Sequence, residues 1–507
     1  MGWLLKNSKI IYILLFVLVL SDRLNTFLRF SIVYTDSDQT LLWQVAKDLM
    51  NGIFHGPCFY GQSYNPVIEA FCALPFLYSG MELSEALPFA TTILGIVPFL
   101  LLSVYLYKRV DVLTGLIPLI LYLVLPPEYS MLTSISRGFV TGIFFAVIGF
   151  VLIAYHKSLF ARFIGGMSVG IGIYANPNCV LLFPIILPYL ISERKVLLQI
   201  LIPAGLGFLL GLSSFLFNAA YYSSHPEMVI HGSPGIQLSF SSFMSTIGRL
   251  DSYFNFVTPI LWRAGWISLF LFVVISTQLW RKKSMPEFFT VLILFSLIVF
   301  SFSVSKVSDG TNSVFFSGAR MFLAYPFIII FVFIYWLNIL PRSFKNSVFY
   351  IFILLAIVSF FVKIIAFDYF INNALNGSKN SIVKVIKVNE LRQTCVDLLN
   401  FTDGKIDLIL AISKDTPDQV ITYGCPCLVE SFPLTAQPKY ERRSWLMPEI
   451  NGNIYEKILL HSKDTAIWNK IHIDELQILA RDKKKGWLLI ENKLKTSDLL
   501  HKTGLTP

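Results

Sequence analysis

Between residues 10 and 370 the chain repeats one pattern: an apolar run, a short polar break, another apolar run, with Lys and Arg gathered in every second break. A helix that crosses a bilayer needs roughly 20 mainly apolar residues, and loops on the cytoplasmic side are richer in Lys and Arg. The runs are Ile10–Leu28, Leu87–Tyr107, Leu113–Leu125, Phe139–Tyr155, Phe163–Tyr174, Val180–Ile191, Val196–Phe217, Phe256–Leu279, Phe288–Phe302, Met321–Trp336 and Val348–Phe370. Lys6 and Lys9 put the N-terminus in the cytoplasm. The basic clusters at 108–109, 156–162 (His156, Lys157, Arg162), 194–195, 281–283 and 342–345 then all fall on that same side. The expectation is a multi-pass α-helical membrane protein with about 11 transmembrane helices. No small-x-small signal follows the first run, which reads as a retained signal anchor rather than a cleaved leader.

Charge and composition agree. Only 14% of the residues are charged against 55% hydrophobic, where soluble domains carry about 25% charged residues. The net charge of +10 comes mostly from Lys and Arg at the ends of apolar segments, so it argues for a lipid bilayer as partner and against nucleic acid. Glycines crowd two of the runs, Gly165, Gly166, Gly170 and Gly172 in one and Gly205, Gly207 and Gly211 in another. Such small residues let helices pack closely.

Two regions break the pattern. Residues 31–86 form a first outer loop that is semi-polar, with an amphipathic helix expected over Gln39–Met50 and a short apolar helix over Val67–Tyr78. The latter is too short for a crossing and, counted as one, would reverse every later orientation; it is expected to lie in the interface. Residues 371–507 read as ordinary soluble sequence. A helix is expected at Leu391–Leu399 and strands at Ile406–Ile412 and Gly486–Ile490, with a strand or helix–strand passage at Val420–Val429. The expected division is therefore a transmembrane part, 1–370, and a C-terminal extracytoplasmic mixed α/β domain, 371–507.

The chemistry concentrates in the first loop. Asp36 and Asp38 follow the first run, and Asp38 is a candidate N-cap or first-turn residue of the helix behind it. His55, Tyr60, Gln62, Tyr64, Asn65 and Glu69 come next, broken by Gly56-Pro57 and Gly61. A carboxylate at a membrane surface can deprotonate an acceptor hydroxyl for attack on an anomeric carbon, and a leaving phosphate needs positive charge or a metal. The outer-side cations are Arg137, Arg249, Arg263 and Arg320, of which Arg137 and Arg320 are best placed. Snorkelling to lipid headgroups is the competing role for each. Glu128, Asp251 and Asp309 are further outer carboxylates.

Asp36-Ser37-Asp38-Gln39, the Phe59-Tyr60-Gly61-Gln62-Ser63-Tyr64 element, the helix carrying Glu69, and Arg320-Met321-Phe322-Leu323-Ala324-Tyr325-Pro326 opening a late run occur in that order. In this the sequence resembles the GT-C glycosyltransferases of the protein O-mannosyltransferase and lipid A aminoarabinose transferase type, over about residues 1–370. Ser63 replaces a Pro of that pattern, and Gln39 stands where an acidic partner is common.

The resemblance implies a GT-C type fold and a membrane glycosyltransferase of the cell envelope. Its sugar donor would be polyprenyl phosphate-linked, with catalysis on the outer face of a bacterial inner membrane. The catalytic carboxylate carries over to Asp38, with Asp36 the second choice. His55, Tyr60, Gln62, Tyr64, Glu69, Arg137 and Arg320 are the substrate-binding candidates. The departure at Gln39 leaves open whether a divalent metal, with Asp38 as its candidate ligand, takes part. The acceptor, whether glycan, lipid or protein, is left open too. A transporter or flippase for a lipid-linked substrate is the alternative, though its midplane ionisable residues and repeated halves do not stand out here.

In the tail, Cys425-Pro426-Cys427 is not a CxxC pair, and Cys395 is a candidate partner for Cys425 or Cys427 in an oxidising compartment. Cys58 is a further candidate if the tail folds over the first loop. Tyr440, Arg442, Arg443 and Trp445 make a basic aromatic patch.

Overall fold

The computed structural model describes residues 2–155, 157–232, 235, 237–308, 310–311, 313–378, 383, 385–412, 417–462 and 476–503. His156 and Asp309 lie outside them. The chain divides into two compact units. One gathers Met1–Ser31, Phe89–Phe217 and Pro234–Ser381; the other gathers Ile32–Pro88, Asn218–Ser233 and Ile382–Pro507.

The first unit is helical. An apolar helix stands at each of the expected runs. Asn7–Ser31, Leu83–Arg109, Arg194–Ser224 and Ser343–Ile365 are long and apolar enough to cross a membrane, and the others are shorter. Leu198, Leu209, Leu210 and Leu216 on one long helix are exposed, a surface that suits lipid better than water. The protein is a helical membrane protein.

Proline reshapes two of the runs. Over Pro177–Ile186 the backbone is a 3-10 helix, followed by a single α-helical turn and a half at Leu187–Ser192. Pro184 and Pro188 each lack an N–H for the ladder, so a regular α-helix over 180–191 does not form. The run expected from Phe256 begins as α-helix only at Gly265. Pro259 opens a short 3-10 turn before it, and Asp251 Oδ1 accepts from the Gly265 N–H at 2.8 Å.

The paired glycines form a close helix contact. A Cβ on Gly166 would stand 1.9 Å from the Ala204 carbonyl oxygen, and one on Gly207 would stand 1.9 Å from that of Phe163. Gly205, one residue from this seam, has nothing within 4 Å of its Cβ position.

Charged residues also sit inside this unit. Asp22, Arg23 and Lys363 are all buried. Lys363 Nζ lies 3.6 Å from Asp22 Oδ2 and donates to the Tyr122 carbonyl at 3.3 Å. Arg23 donates to the carbonyls of Ser130 and Thr133 at 2.7 and 2.8 Å. Each buried charge is thereby paired or hydrogen-bonded, as burial demands.

The second unit joins the first loop to the tail. Strand β1 (Tyr34–Asp36) runs into the helix Ser37–Met50, and β2 (Gly61–Gln62) follows in the loop. Strand β3 (Val229–His231) pairs in parallel with β2, and β4 (Val385–Lys387) pairs antiparallel with β1, Asp36 opposite Val385. The tail carries β5 (Leu408–Ala411), β6 (Leu434–Ala436), β7 (Lys457–His461), β8 (Leu476–Asp482) and β9 (Trp487–Asn492) in one sheet of order β6-β5-β7-β9-β8. Its first three strands are parallel and the rest antiparallel. Strand β5 is buried at every residue, as its unbroken apolar Leu-Ile-Leu-Ala requires when both faces are covered. Leu410, Ile458, Leu460, Leu488, Ile490 and Leu500 form the core.

Helices Val388–Phe401 and Pro417–Leu428 complete the unit, joined by a disulfide between Cys395 and Cys425. Of the two expected partners, Cys425 is the one bonded, and Cys58 and Cys427 are in no disulfide. Residues 420–428, expected as strand or helix–strand passage, are helix throughout. The helix Ile68–Tyr78 is 11 residues long. At 1.5 Å per residue it covers about half of a hydrocarbon core.

Candidate functional site

The acidic pair is divided by its backbone. Asp36 is extended (φ −143°, ψ 178°), the conformation an N-cap needs, and its side chain caps the helix Ser37–Met50. Oδ1 accepts from the Asp38 and Gln39 amides at 2.9 and 3.1 Å, while Oδ2 accepts from Gln39 Nε2 at 2.9 Å. Asp36 is fully buried. Asp38 is not the cap. It occupies the first turn and is half-buried. Gln39 therefore has a physical role at its position: its amide donates to Asp36, where a second carboxylate would abut the first and repel it.

The rest of the helix is tied to the tail within the same unit. Gln44 Nε2 donates to the Tyr423 carbonyl at 2.9 Å, and Lys47 Nζ donates to the Pro426 carbonyl at 2.6 Å. A Cβ on Gly424 would stand 2.7 Å from Leu391 Cδ2 and 3.1 Å from Thr40 Cγ2, so this glycine permits the close approach. Gly52, at φ +74°, ends the helix in the left-handed region.

The loop beyond is held by its own hydrogen bonds. The Phe59 amide donates to Asn65 O at 3.0 Å, Gln62 N donates to Phe59 O at 2.9 Å, and Asn65 Nδ2 donates to Gln62 Oε1 at 3.1 Å. Asn65 itself has φ +62°, a conformation asparagine tolerates. Tyr60 is turned toward the capped helix and donates to Asp48 Oδ2 at 2.6 Å. Burial and the Asp48 charge push the Tyr60 phenol far up from its ordinary value, so it acts as a donor and not as a phenolate.

His55 stacks on Trp445 at 4.2 Å, and the Tyr60 ring meets the same indole edge-on at 4.7 Å. Burial depresses the His55 imidazole, with the Asp48 charge opposing it in part. Gln62 lies in the β2–β3 pairing and Tyr64 is half-buried beside it; Glu69 is fully buried in the first turn of its helix.

The basic patch of the tail separates into different roles. Arg443 is buried, pairs with Glu441 at 2.9 Å and crosses the Tyr423 ring at 5.2 Å. Trp445 joins the His55–Tyr60 cluster. Arg442 covers Gly61, whose missing Cβ would meet Arg442 Cδ at 2.9 Å. Asp48, Trp445 and Arg442 were not singled out beside the loop from sequence. Asp48 looks like one more charge on a polar helix face, and the other two lie almost 400 residues downstream.

In the helical unit, Arg137 and Arg320 both reach the segment 315–317. Arg137 donates to the Phe315 carbonyl, and Arg320 donates to the Ser317 carbonyl at 2.7 Å while its guanidinium lies 4.2 Å over the Phe316 ring. Both are buried. Glu128 pairs with Arg263 at 2.9 Å. Among the described residues, no group of three or more His, Cys, Asp or Glu is close enough to hold a metal ion.

Solved structures share this architecture. ArnT from Cupriavidus metallidurans bound to undecaprenyl phosphate matches at TM-score 0.56 and 12% identity, over 95% of this chain and 98% of that one. Apo ArnT matches at TM-score 0.57 and 11% identity, over 98% of each. The chain has the GT-C fold. A second GT-C enzyme, the apo oligosaccharyltransferase of Archaeoglobus fulgidus, matches at TM-score 0.50 and 11% identity, over 92% of this chain and 71% of that one. No protein-family model and no curated protein matches the sequence. The likeness to these structures therefore lies in the fold.

Proposed function

We propose that this protein is a membrane glycosyltransferase that moves a sugar from a polyprenyl-phosphate carrier to an acceptor hydroxyl at the outer face of a bacterial inner membrane, with Asp38 as the catalytic carboxylate. The observation that carries the assignment is the division of labour in the acidic pair. Asp36 spends its oxygens on three N–H groups, whereas Asp38 stands in the first turn of the helix and is only half-buried. A carboxylate placed so can accept the proton of an acceptor hydroxyl.

In the reaction the hydroxyl oxygen bonds to the anomeric carbon and its proton passes to Asp38. The bond from that carbon to the phosphate oxygen breaks, and the phosphate leaves with the electron pair. Arg320 and Arg137, in the helical unit, are the proposed cations for the leaving phosphate, a demand that every such departure makes. Tyr60, oriented by Asp48, and His55 on Trp445 are the proposed contacts to substrate, with Gln62, Tyr64 and Glu69 shaping the loop that holds them. No step is routed through a metal.

The side assignment is supported by the one-sided basic clusters and by the Cys395–Cys425 disulfide, which suits an oxidising compartment outside the cytoplasm. The bound undecaprenyl phosphate of the ArnT structure supports a polyprenyl-phosphate donor.

The test is transfer of labelled sugar by the purified protein from a panel of polyprenyl-phosphate sugars to an envelope extract. Transfer by wild type, with a loss on the order of 10²–10⁴-fold in Asp38→Asn at unchanged expression and folding, is the expected result. Undiminished transfer by Asp38→Asn would remove that residue from the chemistry.

A further inference from the structure

The helical unit contains an apolar cavity of about 80 Å³ lined by Phe150, Ala154, Ile186 and Phe331, with Tyr105 and Tyr189 among its walls. Phe150, Ala154, Tyr105 and Tyr189 place it toward the end of the helices that run into the basic breaks at 108–109, 156–162 and 194–195. Two arginines stand at that end. Arg162 is only 5% exposed and donates to the Gln199 carbonyl at 3.1 Å, and its Nε has no partner. Arg109 is exposed, lies 4.6 Å over the Tyr155 ring and donates to the Tyr155 carbonyl. The Tyr155 ring in turn meets Tyr105 edge-on at 6.0 Å.

Both arginines lie in the neighbourhood of Tyr189, which lines the cavity. Glu193 is the carboxylate that acts on the same tyrosine, and it is exposed. Among the described residues neither arginine forms an ion pair.

A cation as deeply buried as Arg162 needs an anion or a full set of acceptors, and this one has neither. An apolar cavity beside it suits a hydrocarbon chain. One class of molecule offers both, an anion with an apolar tail. Basic pockets between transmembrane helices on the cytoplasmic side take acidic lipid headgroups. We infer that this is a binding site for an anionic glycerophospholipid of the cytoplasmic leaflet, its phosphate between Arg162 and Arg109 and one acyl chain in the cavity under Tyr105 and Tyr189. The site involves none of the residues proposed for sugar transfer, so it stands or falls apart from that reading.

The experiment is native mass spectrometry of the detergent-purified full-length protein titrated with phosphatidylglycerol or phosphatidylcholine. Wild type should bind one phosphatidylglycerol on the order of ten-fold more tightly than phosphatidylcholine, the effect of one charge-assisted contact. Arg109→Gln, a surface change that leaves the core intact, should erase most of that preference, as should Arg162→Gln. Ala154→Phe, which fills the cavity, should lower occupancy by both lipids. Size-exclusion profiles matching wild type establish that each variant is folded. Equal binding of the two lipids by wild type, or an undiminished preference in both arginine variants, would overturn the inference. So would one-for-one displacement of phosphatidylglycerol by undecaprenyl phosphate, which would make the site a donor site.

Discussion

Replacing Asp36 separates the role of a cap from that of a base, because the structure assigns its oxygens individually. In Asp36→Ala both acceptors vanish. The lost cap costs about 1 kcal/mol, and the buried Gln39 amide, stripped of its acceptor, costs about 1–3 kcal/mol more. A total of about 2–4 kcal/mol is a large part of an ordinary protein's stability. Asp36→Asn behaves differently. Its amide oxygen still accepts from the Asp38 and Gln39 amides, and Gln39 can turn its own amide so that its oxygen accepts from the new NH₂. Only the charge at the helix N-terminus is lost, about 0.3–1 kcal/mol. Thermal unfolding of the three purified proteins, with sugar transfer measured on the same preparations, checks this. The expected order of stability is wild type, then Asp36→Asn close behind, then Asp36→Ala well below. Turnover in Asp36→Asn should stay within a few-fold of wild type, on the order of what a 1 kcal/mol change permits. A fully stable Asp36→Asn protein that has lost turnover while Asp38→Asn retains it would refute the reasoning and exchange the two roles.

Three further outcomes are expected. Gly207→Ala puts a methyl against the Phe163 carbonyl and should destabilise by about 1–3 kcal/mol; Gly205→Ala, with open space, should be neutral or stabilising in the same unfolding assay. Removing the disulfide by a Cys395→Ala/Cys425→Ala double variant opens a loop of 30 residues and should cost about 3–4 kcal/mol, read as a lower unfolding temperature that added reductant reproduces in wild type and does not change further in the variant. His55 titrates below its ordinary 6.5 because burial disfavours its charged form. The unfolded chain then binds the proton first, so stability is complete above about pH 6.5 and falls as the pH drops through the depressed value. His55→Phe keeps the ring against Trp445 and should flatten that part of the stability–pH profile.

The helices were legible because a long apolar run in lipid has one way to satisfy its backbone. Their interruptions were less so. Pro184 and Pro188 fall inside a run that hydropathy alone reads as continuous, yet each removes a ladder hydrogen bond, and the chain answers with 3-10 turns. The strands β5 and β9 could be read from unbroken apolar runs, whereas Val420–Leu428 mixes β-branched residues with a Gly and a Pro and becomes helix through its packing on Ser37–Met50 and its bond to Cys395. Asp22, Arg23 and Lys363 stand within apolar runs yet were not singled out from sequence, because the partner of each lies on another helix.

The acidic loop shows where sequence reading stops for the candidate site itself. Asp36 and Asp38 both precede an amphipathic helix, and either could cap it by residue type alone. An N-cap must be extended, and the residue that is extended is the one in a strand. Asp36 ends β1, and β1 exists because it pairs with Val385–Lys387, about 350 residues away along the chain. That pairing fixes where the helix begins, spends the Asp36 carboxylate on the cap, and puts Asp38, two residues further on, in the first turn. The choice between two neighbouring carboxylates is thus made by a strand in the tail. Weakening the β1–β4 pairing, for instance with Ile386→Pro, which takes away an N–H beside Thr35, should therefore impair turnover through the placement of Asp38, without altering any residue of the loop.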